Sequence, residues 1–69
     1  MAAEFGRRVR EHREAQGLSQ IELGELSDLH FTFISSIERG KRNPTLTSIV
    51  RLAHGLQLDA AELVTGLTP

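Results

Sequence analysis

Three histidines and two adjacent serines are the side chains that could take part in catalysis or hold a metal ion. No two of His12, His30 and His54 lie one turn apart on a single helix, and the chain has no cysteine to complete a metal site. Ser35 and Ser36 have a histidine nearby in the sequence, but no acidic residue at a spacing that would orient it and no sign of an oxyanion hole. We therefore predict no catalytic activity, no metal, no cofactor and no small-molecule ligand.

Positive charge falls into two clusters, although the chain as a whole has a net charge of −1. Seven of the eight basic residues belong to them: Arg7, Arg8, Arg10 and Arg13 in the first, and Arg39, Lys41 and Arg42 in the second. A nucleic-acid-binding domain is usually basic overall, and either cluster alone could be ordinary solvated surface. Charge by itself leaves nucleic-acid binding open.

The length of 69 residues corresponds to one domain near the lower size limit for a core without disulfides. A chain this short often gains stability from a second copy. No apolar run approaches the roughly 20 residues of a membrane span, and the N-terminus lacks the apolar segment of a signal peptide. We therefore expect a soluble cytoplasmic protein that does not bind membranes.

Apolar residues recur with helical spacing along the chain, and no segment alternates with the period of a strand. The capping and breaking residues predict five helices. The first three lie at about 4–16, 20–27 and 31–39, the fourth is capped by Thr45, and the fifth is capped by Asp59 and stops near Gly66. Ser19 with Glu22, and Asp59 with Glu62, have the spacing of capping boxes. In the fourth helix the spacing predicts an inward apolar stripe of Leu46, Ile49, Leu52, Ala53 and Leu56.

The second and third helices have the features of a helix-turn-helix motif over residues 19–39. Gly24 permits close approach of the two helices, and Asp28 tolerates the left-handed conformation that a three-residue turn requires. Leu29 and Ile34 close the pair onto the core. In this motif the second helix enters the major groove of DNA.

The run Ile34-Ser35-Ser36-Ile37-Glu38-Arg39-Gly40-Lys41-Arg42-Asn43-Pro44-Thr45, together with Leu18-Ser19-Gln20, resembles the phage lambda repressor and Cro-like family, also called the xenobiotic-response-element family. The resemblance extends from about Phe5 to Leu63. It implies an all-α, five-helix DNA-binding domain over residues 5–66, followed by a tail or the start of a linker at 67–69. It also implies docking as a homodimer on a palindromic operator.

The resemblance assigns roles to individual side chains. Gln20 matches a glutamine that holds a phosphate, and four positions of the third helix match those that face base edges: Phe31, Thr32, Ser35 and Ser36. The backbone-contacting loop corresponds to Arg39, Lys41, Arg42 and Asn43. We add His30, which begins the third helix, to the DNA-binding set. Arg13 and Glu38 match an ion pair that ties the first helix to the third.

Three positions depart from the family pattern: Phe31 replaces a polar or basic residue, Leu26 a polar one, and Asp28 a glycine. Phe31 cannot make bidentate contacts with guanine or adenine, although it can contact a thymine methyl group. The fifth helix offers more apolar surface than one small core needs. We predict a homodimer face of Leu58, Ala60, Ala61, Val64 and Leu67, the alternative being that all of them pack within one chain.

The leading hypothesis is a sequence-specific regulator of transcription that binds double-stranded DNA. Phage repressors, restriction-modification controllers, antitoxins and developmental regulators are equally compatible with the residues. The alternative is a protein-interaction module that kept the fold and lost DNA binding, which the near-neutral charge and the exposed Phe31 and Leu26 favour.

Overall fold

The computed structural model describes residues 1–69 and consists of five helices without a strand. The helices are α1 (Ala2–Ala15), α2 (Gln20–Ser27), α3 (Phe31–Glu38), α4 (Leu46–Leu56) and α5 (Ala61–Val64). The predicted all-α, five-helix class is therefore confirmed. None of the helices has the length and apolar character that crossing a membrane requires.

Side-chain caps fix where α2 and α4 begin. The Ser19 hydroxyl accepts the Glu22 N–H while the Glu22 carboxylate accepts the Ser19 N–H, which is the predicted capping box. These hydrogen bonds stabilise the ionised carboxylate and lower the pKa of Glu22. At α4 the Thr45 hydroxyl accepts the Ser48 N–H. Both helices therefore begin at the residues that the sequence predicts.

The capping box predicted for α5 is wrong. The Asp59 carboxylate accepts the Ala61 N–H, but the N-cap is Ala60 and the Glu62 side chain makes no return bond. A capping box needs the acidic residue at the third helical position, and Glu62 occupies the second. The helix is only one turn long and ends where Thr65 adopts an extended conformation.

One apolar core joins all five helices. Its fully buried members are Phe5, Val9, Leu23, Ile34, Ile37, Leu52, Ala53, Leu56 and Leu63. The core prediction for α4 is wrong at Leu46, whose surface is 78 % exposed. Leu46 is the first residue of the helix, and burial begins only at Ser48 and Ile49, so the first turn extends past the core.

Two glycines set the distance between backbones. A Cβ atom on Gly6 would collide with the backbone of Ile37 and Glu38, so α1 lies directly against the end of α3. A Cβ atom on Gly24 would lie 2.5 Å from the Leu29 carbonyl oxygen, which explains why α2 needs a glycine beside the turn. The sequence indicated the role of Gly24 but not that of Gly6.

Candidate nucleic-acid interface

The turn between α2 and α3 sets the angle at which α3 leaves the core. Asp28 adopts the predicted left-handed conformation (φ 57°, ψ 44°), and the Leu29 N–H donates to the Gly24 carbonyl oxygen at 2.9 Å. Leu29 packs against the core, as do Ile34 and Ile37 on the inner face of α3. The opposite face of α3 is therefore held outward by a fixed turn and two buried anchors.

The first turn of α3 presents three exposed side chains: His30, Phe31 and Thr32. His30 is the N-cap, because its Nδ1 accepts the Thr32 N–H at 3.2 Å, and the same nitrogen lies 2.8 Å from Thr32 Oγ1. The imidazole also stacks on the Phe31 ring, with centroids 4.8 Å apart and planes inclined by 27°. The structure thus brings these three predicted DNA-binding residues into one contiguous surface.

Farther along α3, Ser35 and Ser36 are half-buried on the same outward side. The Arg39 guanidinium folds back along the helix, and its Nε donates to the Ser35 carbonyl oxygen at 3.3 Å. Gly40 ends the helix with a positive φ of 70°, and the Lys41 N–H closes the last turn on the Ser36 carbonyl oxygen at 2.9 Å. This closure fixes the direction in which the basic loop leaves α3.

The loop after α3 carries positive charge without acidic partners. Lys41, Arg42 and Asn43 are exposed, and no carboxylate lies within 4 Å of Arg39, Lys41 or Arg42. The Arg42 guanidinium carbon lies 5.5 Å from the centroid of the Phe33 ring, in the range of a cation–π contact. The sequence did not indicate this role for Phe33, although an aromatic residue on the helix before a basic loop is a signal that could be used.

Three members of the first basic cluster, Arg7, Arg8 and Arg10, are by contrast neutralised by glutamates of the same helix. Arg7 pairs with Glu4 and Glu11, and Arg10 pairs with Glu14. The guanidinium groups of Arg7 and Arg8 hold the pKa of the Glu4 carboxyl at about 2. These pairs follow the i,i+3 and i,i+4 spacing of a helix surface, so α1 offers little free positive charge.

Arg8 has a structural role that the sequence did not reveal. Its Nη1 donates to the carbonyl oxygens of Leu63 at 3.3 Å and Thr65 at 2.7 Å, and its Nε donates to Glu4. The side chain therefore ties α1 to the end of α5. Partners 55 and 57 residues away leave no local pattern by which they could be found.

Arg13 and Glu38 form a partly buried ion pair between α1 and α3. Arg13 Nε and Nη2 donate to the two Glu38 carboxylate oxygens at 2.7 and 3.0 Å, and the side chains are only 12 % and 3 % exposed. The hydrogen bonds to Glu38 raise the pKa of Arg13. Gln20 joins the pair, since its amide nitrogen donates to Glu38 at 3.1 Å. One of the two amide N–H groups of Gln20 is thus committed inside the protein.

The five residues predicted for a dimer face divide into two groups. Leu58, Ala60 and Leu67 are partly buried and pack against the core of their own chain. Ala61 and Val64 are exposed. Val64 also lines an open apolar groove of about 210 Å³, whose other lining residues are Met1, Phe5, Pro44, Ile49 and Leu67.

Comparison with known proteins gives consistent matches. A family model described as helix-turn-helix matches residues 9–63. The chain is 44 % identical to the control protein C.SmaI of Serratia marcescens over 57 residues, which cover 83 % of this chain and 68 % of that protein. It is 39 % identical to the control protein C.BamHI of Bacillus amyloliquefaciens over 61 residues, which cover 87 % of this chain and 75 % of that one.

A solved structure extends the similarity to three dimensions. The restriction-modification controller protein C.AhdI from Aeromonas hydrophila superposes with a TM-score of 0.89 at 43 % identity, covering 91 % of this chain and 96 % of that chain. The regulator PuuR of Escherichia coli is 42 % identical over 55 residues, but these make up only 30 % of its length.

Proposed function

Because the chain belongs to the helix-turn-helix family of the lambda repressor and Cro type, we propose that it is a sequence-specific regulator of transcription that binds double-stranded DNA. In this proposal α3 lies in the major groove and the loop after it lies along the phosphate backbone. The protein acts in the cytoplasm by occupying DNA rather than by catalysis.

The distribution of paired and unpaired cations carries this proposal. All four arginines of α1 have a glutamate partner, whereas Arg39, Lys41 and Arg42 have none. Cations without acidic partners beside an outward-facing helix can neutralise phosphates without first breaking an ion pair. The other DNA-binding residues of the proposal lie at the start of α2, along α3 and in the loop itself: Gln20, His30, Phe31, Thr32, Ser35, Ser36 and Asn43.

We further propose that the protein is a homodimer and, among the regulators of this fold, a controller of the restriction-modification type. Val64 is exposed and lines the apolar groove, and Ala61 and Leu46 are exposed as well, which supports the dimer. Similarity to the control proteins C.SmaI and C.BamHI, and to C.AhdI in sequence and in structure, supports the controller class. Two copies would place two α3 helices on half-sites about 34 Å apart, or a multiple of that distance.

Selection of binding sites from random duplex DNA, followed by affinity measurements at several salt concentrations, tests the proposal. We expect a palindromic site and a steep loss of affinity with salt. Arg42→Ala should weaken binding to operator and random DNA alike and reduce the salt slope by about 0.9 for each phosphate that is no longer neutralised. Arg10→Ala is the matched control, because it removes the same charge from an exposed arginine already paired with Glu14.

Two results would contradict the proposal. If no site is enriched and the affinity does not depend on salt, the chain is the protein-interaction module considered above. If Arg10→Ala and Arg42→Ala change the salt slope equally, the loop has no special part in DNA binding.

A further inference from the structure

One imidazole nitrogen at the start of α3 faces two polar groups of the same residue. The Thr32 N–H lies 3.2 Å from His30 Nδ1, and Thr32 Oγ1 lies 2.8 Å from it. The Thr32 N–H has no other acceptor in the structure. Because an N–H group cannot donate to another N–H, this capping bond selects the tautomer of the neutral imidazole that carries its proton on Nε2.

This tautomer decides what the Thr32 hydroxyl can do. In the tautomer with the proton on Nε2, the hydroxyl is the donor of the 2.8 Å contact and shares the single Nδ1 lone pair with the Thr32 N–H. A hydroxyl has one proton and two lone pairs, so an oxygen whose proton is engaged can only accept further bonds. Stacking of the imidazole on Phe31 holds the ring in the orientation that keeps this bond.

We propose that Thr32 is a specificity-determining residue that accepts a hydrogen bond from an exocyclic amino group in the major groove, and that His30 is the positioning residue that restricts it to this role. The inference rests on the proposed function, with the first turn of α3 at the base edges. In the major groove, adenine and cytosine present amino groups, whereas guanine O6 and thymine O4 are acceptors. A freely rotating hydroxyl bonds either kind of group equally, whereas a hydroxyl whose proton is held by Nδ1 bonds an amino group without breaking that contact.

The proposal predicts a base preference at one position of each half-site. The base in contact with Thr32 should be adenine or cytosine rather than guanine or thymine, with little distinction between the first two. Phe31, beside it, can add only apolar contact and therefore does not supply this discrimination.

The experiment measures the affinity of the parent protein and its variants for the selected site and for all single base-pair changes in one half-site. For the parent we expect adenine and cytosine to be favoured over guanine and thymine about twofold to tenfold at one position, the range for a single hydrogen bond. Thr32→Val keeps the shape of the side chain without the hydroxyl and should abolish that preference at that position alone. Removing the amino group from the contacted base should weaken the parent by the same factor and leave Thr32→Val unaffected.

His30 variants separate its effect on Thr32 from simple helix capping. His30→Ala frees the hydroxyl proton, so the ratio of the affinity for adenine or cytosine to that for guanine or thymine should fall toward one. Loss of the cap should also lower the affinity for all four base pairs alike. His30→Asn offers a side-chain oxygen in place of Nδ1 and should restore the ratio. In a Thr32→Val background, His30→Ala should leave the ratio unchanged.

The outcomes distinguish this inference from the proposed function. If no duplex is bound with sequence preference, both fail. If a specific site is bound but Thr32→Val changes no base preference, or the parent favours keto bases at the Thr32 position, only the inference fails. A ratio that is the same in His30→Ala and the parent would equally overturn it.

Discussion

Replacing Glu38 by alanine removes the acceptor at the centre of a buried network. The Glu38 carboxylate accepts two hydrogen bonds from Arg13 and one from Gln20, and its side chain is 3 % exposed. After the change, the Arg13 guanidinium keeps only the Leu18 carbonyl oxygen, at 2.8 Å, as a partner. Gln20 loses its acceptor as well. The variant therefore leaves the partly buried Arg13 guanidinium with a single hydrogen-bond partner inside the protein.

The free energy lost in Glu38→Ala can be compared with the free energy of unfolding of the whole domain. Removing one partner of a buried ion pair typically costs about 3–5 kcal/mol. A chain of 69 residues is expected to have a free energy of unfolding of roughly 3–10 kcal/mol, at about 0.05–0.15 kcal/mol per residue. In a domain of this size each 1 kcal/mol shifts the melting temperature by roughly 4–8 °C. Glu38→Ala should therefore lower the Tm by about 12 °C or more.

Thermal unfolding followed by circular dichroism, without DNA, measures this effect. Glu14→Ala is the matched control, because it breaks an ion pair whose side chains are more than half exposed and should change the Tm by little. Replacing both partners, as in Arg13→Met with Glu38→Leu, should recover much of the loss, since no charge is then stranded. A Glu38→Ala variant that melts within a few degrees of the parent would refute the reasoning.

The remaining predictions concern the dimer, two residues with a left-handed backbone conformation, and the exposed surface of α3. Val64→Asp should give a helical monomer in sedimentation, with a collapse of operator affinity, and a parent that stays monomeric at high concentration and on DNA would contradict the dimer. Gln57 adopts a left-handed conformation (φ 57°), so Gln57→Gly should raise the free energy of unfolding by about 1 kcal/mol. Gly17 also has a positive φ, and a Cβ atom there would meet no atom within 4 Å, so Gly17→Ala should lower the free energy of unfolding by a similar amount through backbone strain alone. If denaturant titrations showed that both substitutions change this free energy in the same direction, the strain argument would be wrong. Phe31→Ala should relax preference at one base pair by about 1–3 kcal/mol or less without changing the salt slope, and unchanged discrimination would remove Phe31 from the reading surface.

The helix-turn-helix could be predicted because its requirements are local in sequence. Ser19 and Glu22 cap α2 three residues apart, and Asp28 must accept a positive φ in a turn of fixed length. The capping box and the turn depend only on residues close in sequence, so they can be predicted without knowing how the rest of the chain packs. The same logic failed at Glu62, where a shift of one residue in the helix start removed the geometry on which the capping box depends.

The parts that sequence reasoning missed depend on contacts between distant segments. Helical periodicity places Leu46 on the stripe of α4, but only the position of the neighbouring helices shows that the core ends at Ile49. Arg8 bonds to carbonyl oxygens of the C-terminal segment, which carry no side-chain signature. Gly6 is required by the backbone of α3, and a glycine inside a helical pattern does not by itself indicate what approaches it.

Net charge and DNA binding need not correspond in a domain this small, because the ion pairs decide which charges remain available. Four glutamates, at positions 4, 11, 14 and 38, are paired with the four arginines of α1. These pairs contribute nothing to the net charge, and their arginines add little to the field outside α1. The positive charge that remains lies mainly in the loop after α3, where the turn at Asp28 and the closure at Gly40 fix its position relative to the exposed helix face. A net charge of −1 is therefore compatible with a basic loop after α3, because the ion pairs of α1 leave Arg39, Lys41 and Arg42 as neighbouring cations without acidic partners.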